Sequence, residues 1–291
     1  MGRHIPAACP QVGTLPDEFA SKLPKGVPAV ERPPTSLFPF QSVGPGAATW
    51  YFPTALPATS PAGVFIPQGF GYPEQVDVIL YFHGNKDGSF HTINQYWHGD
   101  YHKIALREDL VASRRDALLV APTMGFFPGH GLRGNSDLGI FAQPGGGDCF
   151  LDHVMAHLNK YDDHYASKGV TPKARNVVLA GHSGGGNAIH LQLEPMKARV
   201  CEAWCFDIVY GDVNDWVDFA VRNPSKILTF FHAIQSLDSL RELVRLKAKT
   251  EATLKIKLDN LRIIDAGNDH FAALTNNFLP QLKATKCLAT L

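Results

Sequence analysis

The sequence predicts an α/β domain: a mostly parallel, doubly wound central sheet with helices on both faces. Three observations predict it. From residue 76 onward, short apolar strand-like runs alternate with longer helix-compatible segments, the order that builds parallel β-α-β units. Two shorter strand-like runs, each ended by proline, come before them and suit an antiparallel start to the sheet. Finally, the apolar run Val177-Val178-Leu179-Ala180 stops abruptly at Gly181-His182-Ser183-Gly184-Gly185, and a helix-compatible stretch follows.

The elements follow in chain order. The first 75 residues are proline-rich, from Pro6 to Pro73, and no helix passes through that spacing. We read residues 1–46 as an arm packed on a single domain that spans 47–291. The early strands are expected at 48–52 and 63–66, and the buried strands at 76–82, 117–120, 176–180, 203–206, 227–231 and 261–264. Helices are expected at 94–110, 149–168, 185–196, 213–221 and 237–254. The glycine-rich stretch 122–147 carries Phe126, Phe127 and Phe141 without periodicity. A long loop in this architecture lies over the carboxyl ends of the strands, so it is expected to form a pocket wall. No comparable insertion separates the strands at 203–206 and 227–231, so no large cap domain is expected there.

Composition excludes several classes. The 27 basic and 27 acidic residues cancel, and no basic stripe points to nucleic acid or to an anionic surface. No apolar run reaches the roughly 18 residues of a membrane span. The N-terminal residues Met1 to Pro6 lack the apolar core of a secretory signal. The five cysteines (Cys9, Cys149, Cys201, Cys205, Cys287) show no framework spacing and are expected to be mostly reduced. Cys201 and Cys205 fall on one strand, on the same face and too far apart to bridge comfortably. The expected setting is cytoplasmic, or outside the cell as a processed mature form, and the expected assembly a monomer or homodimer. His98 and His102 have helical spacing, but no Glu of a His-Glu-x-x-His pattern and no cysteine ligand accompany them. With Tyr96, Trp97 and Tyr101 between and around them they read as an aromatic helix edge, and no metal is expected.

The chemistry centres on Ser183. A serine on a strained strand-to-helix turn stands above the sheet edge at a helix N-terminus, where free N–H groups favour an oxyanion. Serine at its ordinary pKa is a poor nucleophile and needs a base. The histidines after it are His190, His232 and His270. His190 falls inside the following helix and His232 ends a strand, whereas His270 lies on a glycine-containing loop after the last strand. For the acid, Asp207 stands at the tip of a buried apolar strand, where a carboxylate needs a partner to offset its desolvation. Asp238 and Asp212 remain alternatives at this point.

On Gly181-His182-Ser183-Gly184-Gly185, the His83-Gly84 pair after an earlier strand and the late His270, the chain resembles the α/β-hydrolase family over about residues 47–285. The resemblance implies the α/β-hydrolase fold and a serine hydrolase of the esterase or lipase kind. Ser183 would be its nucleophile, His270 its base and Asp207 its acid, placed after an earlier strand than is usual in the family. It also implies an oxyanion hole from the N–H groups of Gly184 and Asn85, with Lys86 the alternative to Asn85. His83 is expected to brace that loop, and His83, Phe126, Phe127 and Tyr210 to border a substrate pocket. No cofactor is implied. Ester cleavage of a small-molecule or polymeric substrate is the expected reaction. The same machinery serves peptidases, amidases, thioesterases, acyl transfer and ligand-sensing receptors.

Overall fold

A computed structural model describes residues 41–43, 46–51, 62–84, 102–122, 135–234 and 237–291. Among the described residues nine strands form one sheet: β1 (Gln41–Val43), β2 (Gly46–Tyr51), β3 (Ala62–Pro67), β4 (Gln75–Phe82), β5 (Ala117–Pro122), β6 (Lys173–His182), β7 (Val200–Phe206), β8 (Ile227–His232) and β9 (Leu261–Asp265). Their order in space is β1-β2-β3-β5-β4-β6-β7-β8-β9. The first three strands and β5 pair antiparallel, and the six from β5 to β9 are parallel. Strand β1 extends the sheet by residues counted with the arm; the rest of the arm lies outside the described residues.

The helices are α1 (Leu106–Ser113), α2 (Gly146–Tyr161), α3 (Asp163–Lys168), α4 (Gly186–Leu193), α5 (Val213–Arg222), α6 (Leu237–Leu254), α7 (Ala272–Thr275) and α8 (Phe278–Ala284). Successive strand residues face opposite sides, and both sides are covered. Val78, Leu80, Val177, Leu179, Cys205 and Phe230 share one core with α2, α4, α5 and α6. Tyr81, Val178, Ala180, Trp204 and Phe206 share the other with α1, α7 and α8. Burial on both faces explains why β4 and β6 read as continuous apolar runs instead of alternating ones. Between β7 and β8 the chain holds only residues 207–226, whose one helix is the ten-residue α5, so no cap domain stands at that point. No helix among the described residues is long and apolar enough to cross a membrane.

Register positions the site. Phe82 pairs with Gly181, His182 with Phe206, and His232 with Asp265. The carboxyl ends of β4, β6, β7, β8 and β9 therefore line one edge of the sheet, and the loops leaving them meet there.

The structure corrects four sequence expectations. Of the helix expected at 94–110, residues 94–101, His98 among them, lie outside the described residues; among the described ones the helix starts at Leu106, because His102 and Lys103 take φ of 48° and 62°. The helix expected at 149–168 breaks at Asp162, whose carboxylate accepts from the N–H groups of His164 and Tyr165 and starts α3. Phe141 does not border a pocket. It is fully buried against Phe82 and Phe150, while Phe126 and Phe127 lie outside the described residues. Cys201 and Cys287 are joined in a disulfide with Cα atoms 5.9 Å apart, and Cys149 is disulfide-bonded as well. The C-terminal chain folds back beside β7, bringing Cys287 within bridging reach of a residue 86 positions away. Cys205 is free and buried.

Buried polar groups tie that C-terminal segment down. The Arg115 guanidinium donates to the carbonyls of Leu282, Lys283, Thr285 and Leu288 at 2.6–3.0 Å, satisfying oxygens that the end of α8 leaves open. The Glu202 carboxylate, 2% exposed, accepts from Trp204, Thr285 and Gln281. On β4, Asp77 accepts from Arg175, Asn176 and the Ala289 N–H. Arg115→Met strands several buried carbonyls and is expected to cost about 3 kcal/mol, read as a lower denaturation midpoint; an unchanged midpoint would refute this account of the C-terminal segment.

Burial, with Lys160 second, holds the pKa of His157 in α2 down to about 4. An unfolded histidine takes its proton below roughly pH 6.5, whereas the native one waits until about pH 4. The unfolded chain thus binds more protons in that window, and stability falls as the solution is acidified through it. The Asp109 carboxyl, raised to about 6 by burial and then by Glu108, works in the opposite direction over part of the range. The comparison that isolates His157 is Tm at pH 7.5 and pH 5 for the wild type and His157→Gln. The variant is expected to lose less Tm on acidification, and equal losses would contradict the assignment.

Candidate active site

Strand β6 runs straight into the serine. His182 is still extended, at φ −124° and ψ 140°, and Ser183 turns abruptly to φ +51°. A 3-10 turn, Ser183–Gly185, then leads into α4. Two glycines make room for it. A side chain at Gly185 would run into the Phe82 carbonyl, because the turn crosses directly against the end of β4. A Cβ at Gly84 would stand 2.9 Å from Ser183 Cβ. The His83-Gly84 turn after β4 is thus packed on the serine itself. His83 is buried, with its Nδ1 2.8 Å from the Gly84 carbonyl. Gly184 is buried inside the turn, and Asn85 lies outside the described residues.

Asp207 is the first residue beyond β7 and takes φ +50°. Its side chain is 0% exposed. One carboxylate oxygen accepts from the Ala233 N–H at 2.8 Å, just past β8. The other lies 2.6 Å from Nδ1 of His270. A carboxylate only accepts, so Nδ1 carries a proton, and in the neutral imidazole Nε2 is the nitrogen with the lone pair. The loop after Asp207 is pinned by Trp216 Nε1 donating to the Tyr210 carbonyl, and by the His190 ring packed over Gly211. Tyr210 is 38% exposed. Its phenol is held above its ordinary pKa by burial and then by the Asp207 charge.

The other candidates fall elsewhere. Asp238 is nearly fully exposed and pairs with Arg241. Asp212 caps α5 through the Asn214 N–H. His190 turns away to Asp215 at 3.0 Å, and His232 stands 4.0 Å from Asp265. The structure therefore joins His270 to Asp207 and to neither alternative.

Two contributors escaped the sequence reading. One is the Ala233 N–H on Asp207, a backbone group with no residue-type signal. The other is His182, 1% exposed, whose Nε2 lies 2.9 Å from the His270 carbonyl and whose ring centroid is 4.3 Å from that of His270. Its place in the motif, one residue before Ser183, was the only available clue. Burial, with the His270 charge second, holds its pKa down to about 3.

No protein-family model matches the chain, and no curated protein matches it by sequence. Solved structures do match in three dimensions. A ferulic acid esterase aligns with TM-score 0.50 and 15% identity over 81% of this chain and 96% of its own. A mutant of the feruloyl esterase module from Clostridium thermocellum, complexed with sinapinate, aligns with TM-score 0.51 and 12% identity over 86% and 95%. A thermostable esterase aligns with TM-score 0.52 and 12% identity over 82% of this chain and 60% of its own. Together with the strand order and the turn at Ser183, these likenesses show that the chain has the α/β-hydrolase fold.

Proposed function

We propose that the protein is a serine hydrolase that cleaves carboxylic esters. The observation that carries this reading is the 2.6 Å bond between the buried Asp207 carboxylate and His270, whose backbone carbonyl is in turn contacted by His182, the residue before a serine held in a left-handed strand-to-helix turn. That bond sets the tautomer that leaves Nε2 of His270 as a base. In the proposed reaction Ser183 Oγ attacks the acyl carbon while Nε2 takes the hydroxyl proton. The imidazolium is stabilised by Asp207, and the developing oxyanion by the N–H groups of Gly184 and Asn85. The proton then passes to the departing alcohol and leaves an ester on Ser183. Water, deprotonated by the same nitrogen, attacks that ester and frees the acid. The esterase names of the structural neighbours support an ester over an amide, and two of them suggest hydroxycinnamoyl esters as substrates to try.

Hydrolysis of p-nitrophenyl acetate, p-nitrophenyl butyrate and methyl ferulate by the wild type and variants tests the reading. Ser183→Ala is expected to lose at least about 10,000-fold in kcat. Asp207→Asn should lose about 1,000- to 10,000-fold while the chain stays folded, since the amide favours the wrong tautomer. Turnover that survives in Ser183→Ala would exclude this serine as nucleophile. Gly84→Ala puts a methyl group against Ser183 Cβ and is expected to lower kcat about 100-fold; wild-type kcat in that variant would contradict the close approach.

A further inference from the structure

His182 precedes Ser183 in the chain and its ring packs against His270, and no step above uses that ring. A carbonyl oxygen only accepts, so the 2.9 Å contact with the His270 carbonyl puts the proton on Nε2 of His182. Its Nδ1 then carries a lone pair, is buried and has no hydrogen-bond partner among the described residues. A Cβ on Gly84 would stand 3.2 Å from that atom, so one edge of the ring faces the turn after β4. The opposite edge holds the loop that bears His270, and Phe271 covers the ring at a centroid distance of 5.3 Å.

The loop needs such a hold. Gly267, Asn268 and Asp269 are exposed, and Gly267 takes φ +87°. The bonds local to the loop run from Gly267 N–H to Asp265 and from the N–H groups of Phe271 and Ala272 to Asp269. None of these reaches the strand that carries Ser183. Asp207 fixes one nitrogen of the His270 ring but leaves free how far its backbone stands from the serine. His182 supplies that distance from the residue next to Ser183. Because it stays neutral at any pH above about 3, its donor persists whether His270 is protonated or not. No second positive charge then faces the imidazolium.

We propose that His182 is a positioning residue: its Nε2–H, fixed one position before Ser183, clamps the His270 carbonyl and sets the reach of the base to the nucleophile. The proposal rests on the serine-hydrolase reading above. Three substitutions separate the donor from the ring. His182→Phe keeps the ring shape without a donor, His182→Asn keeps an amide too short to reach, and His182→Gln places an amide N–H near the position of Nε2–H.

The experiment measures kcat and KM for p-nitrophenyl butyrate, the labelling rate with a fluorophosphonate, and Tm for the wild type and all three variants. His182→Phe and His182→Asn are expected to lower kcat and the labelling rate together by about 10- to 100-fold, with KM unchanged. His182→Gln is expected to recover most of both. Wild-type kcat in folded His182→Phe or His182→Asn would overturn the proposal. So would a Gln variant that falls as far as Asn, since packing and not the donor would then be at work. If His182→Phe does not fold, the Asn and Gln pair still decides the matter. A wild type that neither turns over nor labels at Ser183 removes the hydrolase reading itself, and the proposal with it.

Discussion

A fully buried carboxylate at the tip of β7 is the constraint on which the site depends. Asp207 has no exposed side-chain surface, and an ionised carboxylate out of water must be hydrogen-bonded. Its partners come from two different places: the Ala233 N–H at the end of β8 and His270 from the loop after β9. Satisfying one charge therefore ties the ends of three adjacent strands together. The same arrangement fixes the orientation of the imidazole and puts a proton on its Nδ1. A substitution that unbalanced this carboxylate would disturb His270 and its loop together.

The sheet supplies the rigidity that holds this together. Ser183 and Asp207 are both non-glycine residues at φ near +50°, each a conformation that costs about 1–3 kcal/mol. Such residues persist where the surrounding structure over-determines them. Here β6 and β7 lie in the middle of a nine-stranded sheet, with core on both faces. Strand and turn approach so closely that only glycine fits at Gly185. The strained turns stand directly at the ends of two strands buried on both faces.

Much of this was legible in the sequence, for reasons that differ by element. The buried parallel strands show as unbroken apolar runs because both faces are covered. Ser183 shows because its turn demands glycines at fixed offsets. His270 shows because few histidines follow the serine, and Asp207 because a charge at an apolar strand tip is conspicuous. What the sequence hid depends on contacts distant along the chain. The Cys201–Cys287 bridge and the Arg115 cluster follow from a C-terminal segment folding back. The break at Asp162 comes from local capping inside a continuous helical pattern. Phe141 lies in a glycine-rich stretch that looks like loop, yet it packs in the core. His182 reads as filler in a motif until His270 is brought beside it.

The most direct test of the account is to trap the acyl-enzyme. The wild type is mixed with p-nitrophenyl butyrate, quenched in acid within milliseconds, digested and mapped by mass spectrometry. A butyryl group on the peptide that contains Ser183, formed and lost at rates consistent with turnover, is the predicted result. Turnover with no acyl group on Ser183, or with the group on another residue, would contradict the account.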